Sequence, residues 1–347
     1  MEEKIYFQGI ITNFKPPNRK IFVIYKKYKS FKKIFEVLEK EFKIKKDWEK
    51  EYQKLKDLGG EIILKKEKEF PQKLKKIKEP VLGIFVLTKS SFDLNRLIEN
   101  SPLVLGIVGT RKASKIGQKT AFDFSKKLSE LGVLIVSGLA YGIDLSAHQG
   151  AILTKKENIA VIGCGLDLIL KDPRKKFVEK ILEVGGAIIS EYSLSTPALK
   201  DNFPLRNRII AGLSDGLLVI EAPINSGALI TARYGLEYGK EIFVIPGSIY
   251  EKNYLGSLRL IQEGANLVIE PEDILRAFDF KIPQKIKNLS LSPKEKEIVE
   301  ILKSGGLTVS EIKEKSNLEI GELLSLLSHL EIKGAIFNQG GRFYLSK

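Results

Sequence analysis

The chain has 347 residues, 43% of them apolar, and a formal net charge of +14. That length admits two or three domains, since one domain takes roughly 100–200 residues, and the apolar share excludes a wholly disordered chain. A single cysteine, Cys164, excludes a disulfide framework and a cysteine-rich zinc site, and no run approaches the ~20 apolar residues of a membrane span. A cytoplasmic chain that uses neither membrane nor metal is expected. The positive charge suits a polyanionic partner, and equally the solvated Lys/Glu surface of a heat-adapted protein.

Residues 1–95 are Lys-rich and mixed in pattern, and read as a small, mainly helical region with a lead-in. Ile5–Thr12 is strand-like, and Lys20–Tyr25 also fits a strand. Phe31–Phe42 has helical spacing through Phe31, Ile34, Phe35 and Leu38. Trp48–Leu58 fits a second helix ended by Gly59-Gly60, and Glu61–Leu64 a short strand.

Residues 96–280 change to short apolar runs separated by helices. The runs are Leu103–Val108, Val133–Ser137, Ile159–Gly163, Ala187–Ser190, Gly216–Glu221 and Glu241–Ile245. Helical patterns cover Gly117–Leu131, Ile143–Thr154, Phe177–Val184, Arg206–Leu213 and Ala228–Tyr238, with a closing helix at Pro271–Phe278. Runs without strict alternation are covered on both faces, and helical crossovers imply parallel pairing. The fold class is therefore α/β, a Rossmann-like, doubly wound, mostly parallel sheet whose ligand site lies beyond the carboxyl ends of its strands. Residues 281–288 read as a linker. Residues 289–347 hold three helices, Pro293–Leu302, Val309–Ser316 and Ile320–Lys333, then a hairpin over Ala335–Leu345 turning at Gly340-Gly341. That is a winged-helix pattern. Its third helix carries Glu322 and Glu331, with Glu319 just ahead, against Lys333 alone, a poor face for duplex phosphates that suits a protein partner better.

The chemistry concentrates after the strands. Gly109-Thr110-Arg111, with Gly117 opening the next helix, combines close backbone approach, free helix N–H groups and a planar cation, which describes a phosphate pocket or else a tight turn with a surface arginine. Ser137-Gly138 through Asp144 repeats the arrangement. Asp144 and His148, four apart, can meet on one helix face. A Ser137/His148/Asp144 triad lacks the nucleophile elbow, so a structural Asp–His contact is the expectation and no catalytic residue is assigned. Gly163-Cys164-Gly165 is another close turn, with Cys164 a small buried residue. In Phe203-Pro204-Leu205-Arg206-Asn207-Arg208, with Lys200 upstream, cations can neutralise phosphates while Phe203 stacks on an unpaired base. Alternatively Phe203 is core, and an arginine pairs with Glu221 or Asp215. A helix cannot aim Arg206 and Arg208 one way, so Arg208 is expected to be structural. Ser226-Gly227, with Thr231, starts a further helix and favours an anion or an N-cap.

In this order, Gly109-Thr110-Arg111, Ser137–Asp144 with Ala147-His148, Gly163–Asp167, Phe203–Arg208, Ser226–Ala232 and Pro246-Gly247 resemble the motif series of the DprA (Smf) family, over roughly residues 48–280. The C-terminal segment is similar to the winged-helix domain of many members. The resemblance implies a homodimer without a cofactor that binds single-stranded DNA regardless of sequence, protects it, and loads RecA onto it in natural transformation and homologous recombination. It also implies a phosphate-binding arginine at Arg111, DNA contacts at Lys200 and Phe203, and pocket glycines at Gly109, Gly138 and Gly227. The chain departs from the family where Gly256-Ser257-Leu258 replaces a Gly-Ser-Asn stretch, and where Asp172-Pro173 stands for Tyr-Pro at altered spacing.

The competing reading is a nucleotide N-glycosidase of the related lysine-decarboxylase-like (LOG) group. Such an enzyme needs a carboxylate in a Pro-Gly-Gly-x-Gly-Thr context, where this chain has Pro223-Ile224-Asn225-Ser226-Gly227-Ala228 and Glu237 much farther along. A nicotinamide-dependent dehydrogenase is discarded, since no G-x-G-x-x-G follows the first strand.

Overall fold

A computed structural model describes residues 2–14, 16, 19–42, 48–89, 93–280, 291–303, 305–316, 318–333, 335–339 and 341–345. They fall into two compact units, divided between Phe280 and Lys281.

The first unit is built on one nine-stranded sheet. Its strands are β1 (Gly60–Leu64), β2 (Gly83–Leu87), β3 (Val104–Gly109), β4 (Leu134–Ser137), β5 (Asn158–Ile162), β6 (Ala187–Ser190), β7 (Gly216–Ile220), β8 (Glu241–Val244) and β9 (Asn266–Leu267). They lie in the order β1-β2-β6-β5-β4-β3-β7-β8-β9, with β3 to β9 parallel and β1 and β2 added antiparallel at one end. β3 to β8 are the six apolar runs of the sequence, buried on both faces because helices cover both. Side chains alternate along β5: Ile159 and Val161 enter one core with Val104, Val136 and Val219, while Ala160 and Ile162 enter the other. The second core is completed by Phe7, Phe31, Ile34, Phe35 and Leu38 from the N-terminal helices, which pack over β1, β2 and β6. From β3 the chain winds outward through β4, β5 and β6, then returns to place β7 on β3's other side. The reversal between β3 and β7 opens a crevice at their carboxyl ends.

Two segments differ from the sequence reading. Ile5–Thr12 lies in a helix, Glu2–Asn13, and Lys20–Tyr25 in another, Arg19–Tyr28. In the first, burial runs from Phe7 to Ile11, with the apolar Phe7, Ile10 and Ile11 at the i, i+3, i+4 spacing of a helix, so tertiary packing overrides the β-branched composition. β2, β9 and the helices Leu94–Asn100 and Leu255–Gln262 had no counterpart in the sequence reading.

In the second unit, helices Pro293–Leu302, Val309–Lys315 and Ile320–Ile332 pack Ile298, Leu302, Ile312, Leu323, Leu327 and Leu330 against Phe343. Strands β10 (Leu307–Thr308), β11 (Ile336–Gln339) and β12 (Arg342–Leu345) form an antiparallel sheet ordered β10-β12-β11. Capping boxes at Ser292/Glu295 and Thr308/Glu311 start the first two helices. The expected linker, residues 281–288, and Gly340 of the hairpin turn lie outside the described residues.

Candidate functional site

The crevice between β3 and β7 holds a cleft of about 620 Å³. Gly109, Thr110, Arg111, Lys200, Phe203, Arg206, Asn207, Ser226, Gly227 and Thr231 all line it, together with Asp144 and Asn225. Ser137, Gly138 and Gly163, also singled out from the sequence, stand behind its walls.

The turn after β3 is shaped by a lack of room. A Cβ on Gly109 would lie 2.0 Å from the Ile220 carbonyl oxygen and 2.4 Å from Ile143 Cγ1, so glycine alone lets strand, strand and helix meet there. The turn is moored by Glu221, which is fully buried at a positive φ of 50°. Its backbone carbonyl accepts from Thr110 N–H at 2.8 Å. Its carboxylate accepts from Ser114 N–H at 2.8 Å, from the Ser114 hydroxyl, and from Asn253 Nδ2 at 3.1 Å. Ser114 in turn caps helix Lys115–Glu130, accepting from Gly117 N–H at 2.9 Å. Arg111 projects from this braced turn, exposed, and its guanidinium lies over the Phe203 ring with the carbon 4.3 Å from the centroid.

The turn after β4 is held from beneath. Ser137 Oγ donates to the Ile107 carbonyl at 2.6 Å and is fully buried, which ties β4 to β3 and removes the hydroxyl from the cleft. Gly138 N–H donates to Asp144 Oδ2 at 3.1 Å, and the Gly138 carbonyl accepts from Arg206 Nη1 at 2.7 Å. A Cβ at Gly138 would come within 2.5 Å of both side chains, so this glycine serves packing. Arg206 is 4% exposed. Its Nη1 also donates to the Val161 carbonyl, and its Nε to Asn207 Oδ1 at 3.1 Å. Two of its three nitrogens thus hold the protein together, and what reaches the cleft is chiefly positive potential. Burial pulls the Arg206 pKa down to about 10 against the opposing pull of Asp144, while burial pushes Asp144 up to about 6 despite Arg206 nearby.

Phe203 is half-buried at the start of helix Asn202–Leu213. Its ring sits on Gly163, whose Cβ would lie 3.2 Å from Phe203 Cδ1, and Asn202 Nδ2 donates to the Gly163 carbonyl at 3.1 Å. Gly163 is therefore a seat for the aromatic ring. On the far wall Ser226 caps helix Gly227–Glu237, accepting from Ala228 N–H at 3.2 Å, and Asn207 Nδ2 and Thr231 Oγ1 both donate to the Gly227 carbonyl. Above Gly227 there is open space, with Asn207 Nδ2 at 4.0 Å the nearest neighbour of an added Cβ.

Two pairings differ from the sequence reading. His148 is fully buried with Nδ1 2.8 Å from Asn158 Oδ1, whereas Asp144 faces Gly138 and Arg206. Their i, i+4 spacing permits a contact, but the partners offered by neighbouring strands take both side chains. Burial pulls His148 down to about 4, so it is neutral at pH 7. Arg208 is fully buried, but its partner is Glu191. Of the acids foreseen for it, Asp215 accepts from Lys73 and from Val104 N–H, and Glu221 holds the Ser114 turn. At the departing Gly-Ser-Leu stretch, Ser257 Oγ accepts from Ala222 N–H at 2.9 Å and is fully buried. Ser114, Glu191 and Asn253 were not foreseen as supports, because each acts through a contact distant in sequence.

The cleft thus offers Arg111, Lys200 and the potential of Arg206 against one carboxylate, beside an aromatic ring that meets Gly163 and carries Arg111. It resembles a polyanion groove with a stacking platform. A family profile described as DNA recombination-mediator protein A matches residues 61–279. The chain belongs to that family. Protein Smf of Escherichia coli is 40% identical over 242 residues, 67% of this chain and 65% of that one. DNA processing protein DprA of Streptococcus pneumoniae is 43% identical over 51% of this chain and 62% of its own. The chain thus spans somewhat under two thirds of these two relatives' lengths. Among solved structures, the S. pneumoniae DprA matches with a TM-score of 0.67 at 31% identity, over 80% of this chain and 97% of that chain. DNA processing protein A of Helicobacter pylori, which binds single-stranded DNA, matches with a TM-score of 0.55 at 26% identity, over 63% and 94%. The family match begins within β1 and so includes both antiparallel strands, while the N-terminal helices lie outside it. Among the described residues no helix is long and apolar enough to cross a membrane, and no cluster of acidic, His or Cys side chains suits a metal.

Proposed function

We propose that the chain binds unpaired DNA in the β3/β7 cleft, without sequence preference and without altering it chemically, and delivers it to a RecA-type recombinase. The observation that carries this reading is the Arg111–Phe203 pair, a guanidinium lying on an aromatic ring where both line one cleft with Lys200. Arg111 and Lys200 neutralise phosphates, and Phe203 stacks a base, an interaction worth ~1–3 kcal/mol and indifferent to base identity. Gly227 leaves room for the sugar–phosphate chain to approach the helix start. Thr110, Asn207, Ser226 and Thr231 complete the polar lining. The reading includes a homodimer acting in natural transformation and recombination, in the cytoplasm; the name DNA processing protein, carried by relatives, supports its DNA-handling part. Residues 96–280 then carry the DNA-binding cleft, residues 1–95 add the N-terminal helices and the two antiparallel strands to the same compact unit, and 289–347 form a winged helix directed at a protein partner.

The test is a titration of fluorescent oligo-dT against duplex of equal length, at two salt concentrations. Preference for the unpaired strand, weakening with salt, supports the reading. Equal affinity for both, or release of free base from nucleoside monophosphates, overturns it in favour of a LOG-like nucleotide enzyme.

A further inference from the structure

Next to the cleft, on the turn after β4, stands an aromatic side chain with no role in the core. Tyr141 is 52% exposed, although its neighbour Ala140 lines the cleft and its other neighbour Gly142 packs on the Arg111 turn. Solitary exposed aromatics are common and by themselves mean little. This one is backed. The Arg174 guanidinium lies over the Tyr141 ring, its carbon 5.4 Å from the centroid.

That guanidinium is itself immobilised. Arg174 Nε and Nη2 donate to the two oxygens of Asp172 at 2.7 Å each, and Nη1 donates to the Leu139 carbonyl at 3.0 Å. Asp172, just ahead of Pro173, therefore supplies the acid that locks Arg174. The turn is held from its other side as well. Leu139 is fully buried at a positive φ of 53°, and Gly142 has φ 82° with room for a Cβ only 2.4 Å from the Thr110 carbonyl oxygen and 2.8 Å from that of Arg111. The Tyr141 ring thus has a fixed stem and a clamped cation over it, with the residue 52% exposed to solvent.

This is the arrangement seen at Phe203, a ring with an arginine on one face, repeated one turn along the carboxyl edge of the sheet. Lys112, next to Arg111 in the chain, is exposed. We propose that Tyr141 is a second base-stacking position, so that an unpaired strand leaving the cleft past Arg111 lays a further base on its ring. The inference rests on the unpaired-DNA reading and extends it by a named subsite for a nucleobase.

The experiment compares full-length wild type, Tyr141→Ala, Tyr141→Phe and Arg111→Ala by fluorescence anisotropy, on oligo-dT of increasing length. Substitution at an exposed ring leaves the fold intact, which a thermal melt checks. For oligonucleotides long enough to reach both rings, Tyr141→Ala weakens binding about 5- to 150-fold, the range of one stacked base. Its salt slope is unchanged, and Tyr141→Phe restores affinity. For the shortest oligonucleotides that still bind, Tyr141→Ala equals wild type. A 5-iodouracil walked along the strand crosslinks to Tyr141 from a position other than the one that reaches Phe203. Equal affinity of Tyr141→Ala at every length, or no crosslink to Tyr141, overturns this inference while a weakened Arg111→Ala leaves the cleft reading standing. Wild type that binds no unpaired strand overturns both.

Discussion

The buried pair Arg208–Glu191 offers a sharp test of the place of Arg208 in the scaffold. Its side chains are 0% and 4% exposed, and Arg208 Nη1 also donates to the Glu79 carbonyl at 3.2 Å. Arg208→Met removes the cation and leaves a carboxylate in apolar surroundings, a change that costs about 3–5 kcal/mol where one partner of a buried pair is deleted. Against a typical stability of 5–15 kcal/mol that is a large share, and at roughly 2–4 °C per kcal/mol for a unit of this size Tm falls on the order of 10 °C. The loss depends on pH in a defined direction. Burial raises the Glu191 pKa above its ordinary value even with Arg208 in place, and without Arg208 it rises further. A carboxyl whose folded pKa exceeds its unfolded value binds more protons in the native state between the two. Stability then falls as pH rises through that window, by about 1.4 kcal/mol per pH unit. Arg208→Met should therefore be least damaged near pH 4.5 and increasingly so above it, while Arg208→Met/Glu191→Gln recovers most of the loss and flattens the slope. Urea unfolding at several pH values measures both effects. A single variant within 1 kcal/mol of wild type at pH 7, or a double variant no better than the single, would falsify the assignment.

At the cleft, Arg111→Ala and Lys200→Ala should each lower the slope of log affinity against log salt by about 0.7, across all unpaired sequences, in a salt titration. Phe203→Ala should lose stacking without changing the slope. Because its ring carries Arg111, the Arg111→Ala/Phe203→Ala double variant should be less weakened than the sum of the singles, which a double-mutant cycle reads directly. Gly138→Ala forces its new methyl onto Arg206 and Asp144, and should lower stability by about 1–3 kcal/mol in denaturant unfolding while weakening DNA binding. Acid titration should show two opposing effects: Asp144, raised to about 6, favours the fold as pH falls towards 4, whereas His148, lowered to about 4, disfavours it as pH falls below 6.5. Asp144→Asn should remove the first and expose the second, giving a steeper acid loss of stability by calorimetry.

Much of this was legible beforehand, for reasons that single residues make clear. Strands buried on both faces announce themselves as apolar runs, and β6 spans Ala187–Ser190 as read. Motifs spread from Gly109 to Thr231 line one cleft because a doubly wound sheet delivers the turns after β3, β4 and β7 to one edge. What escaped depends on partners remote in the chain. The Ile10-Ile11-Thr12 stretch carries strand composition, and only its packing against Phe31 and Phe35 makes it helical. Arg206 and Arg208 look alike in sequence. Nothing local shows that one ends on the Gly138 carbonyl and the other on Glu191. Nor does an acid at the end of β7 announce that it will brace the turn after β3, as Glu221 does.

Each wall of the cleft has its own anchor: Glu221 for the first turn, the Asp144–Gly138–Arg206 set for the second, and Asn202 for the Gly163 seat. The anchored backbone leaves the outward side chains free to vary. A replacement at an outward position such as Tyr141 or Lys200 alters how the surface meets a strand without disturbing the neighbouring turns. On the unpaired-DNA reading, single exposed residues thus set how much of a strand is held, on a sheet that stays as it is.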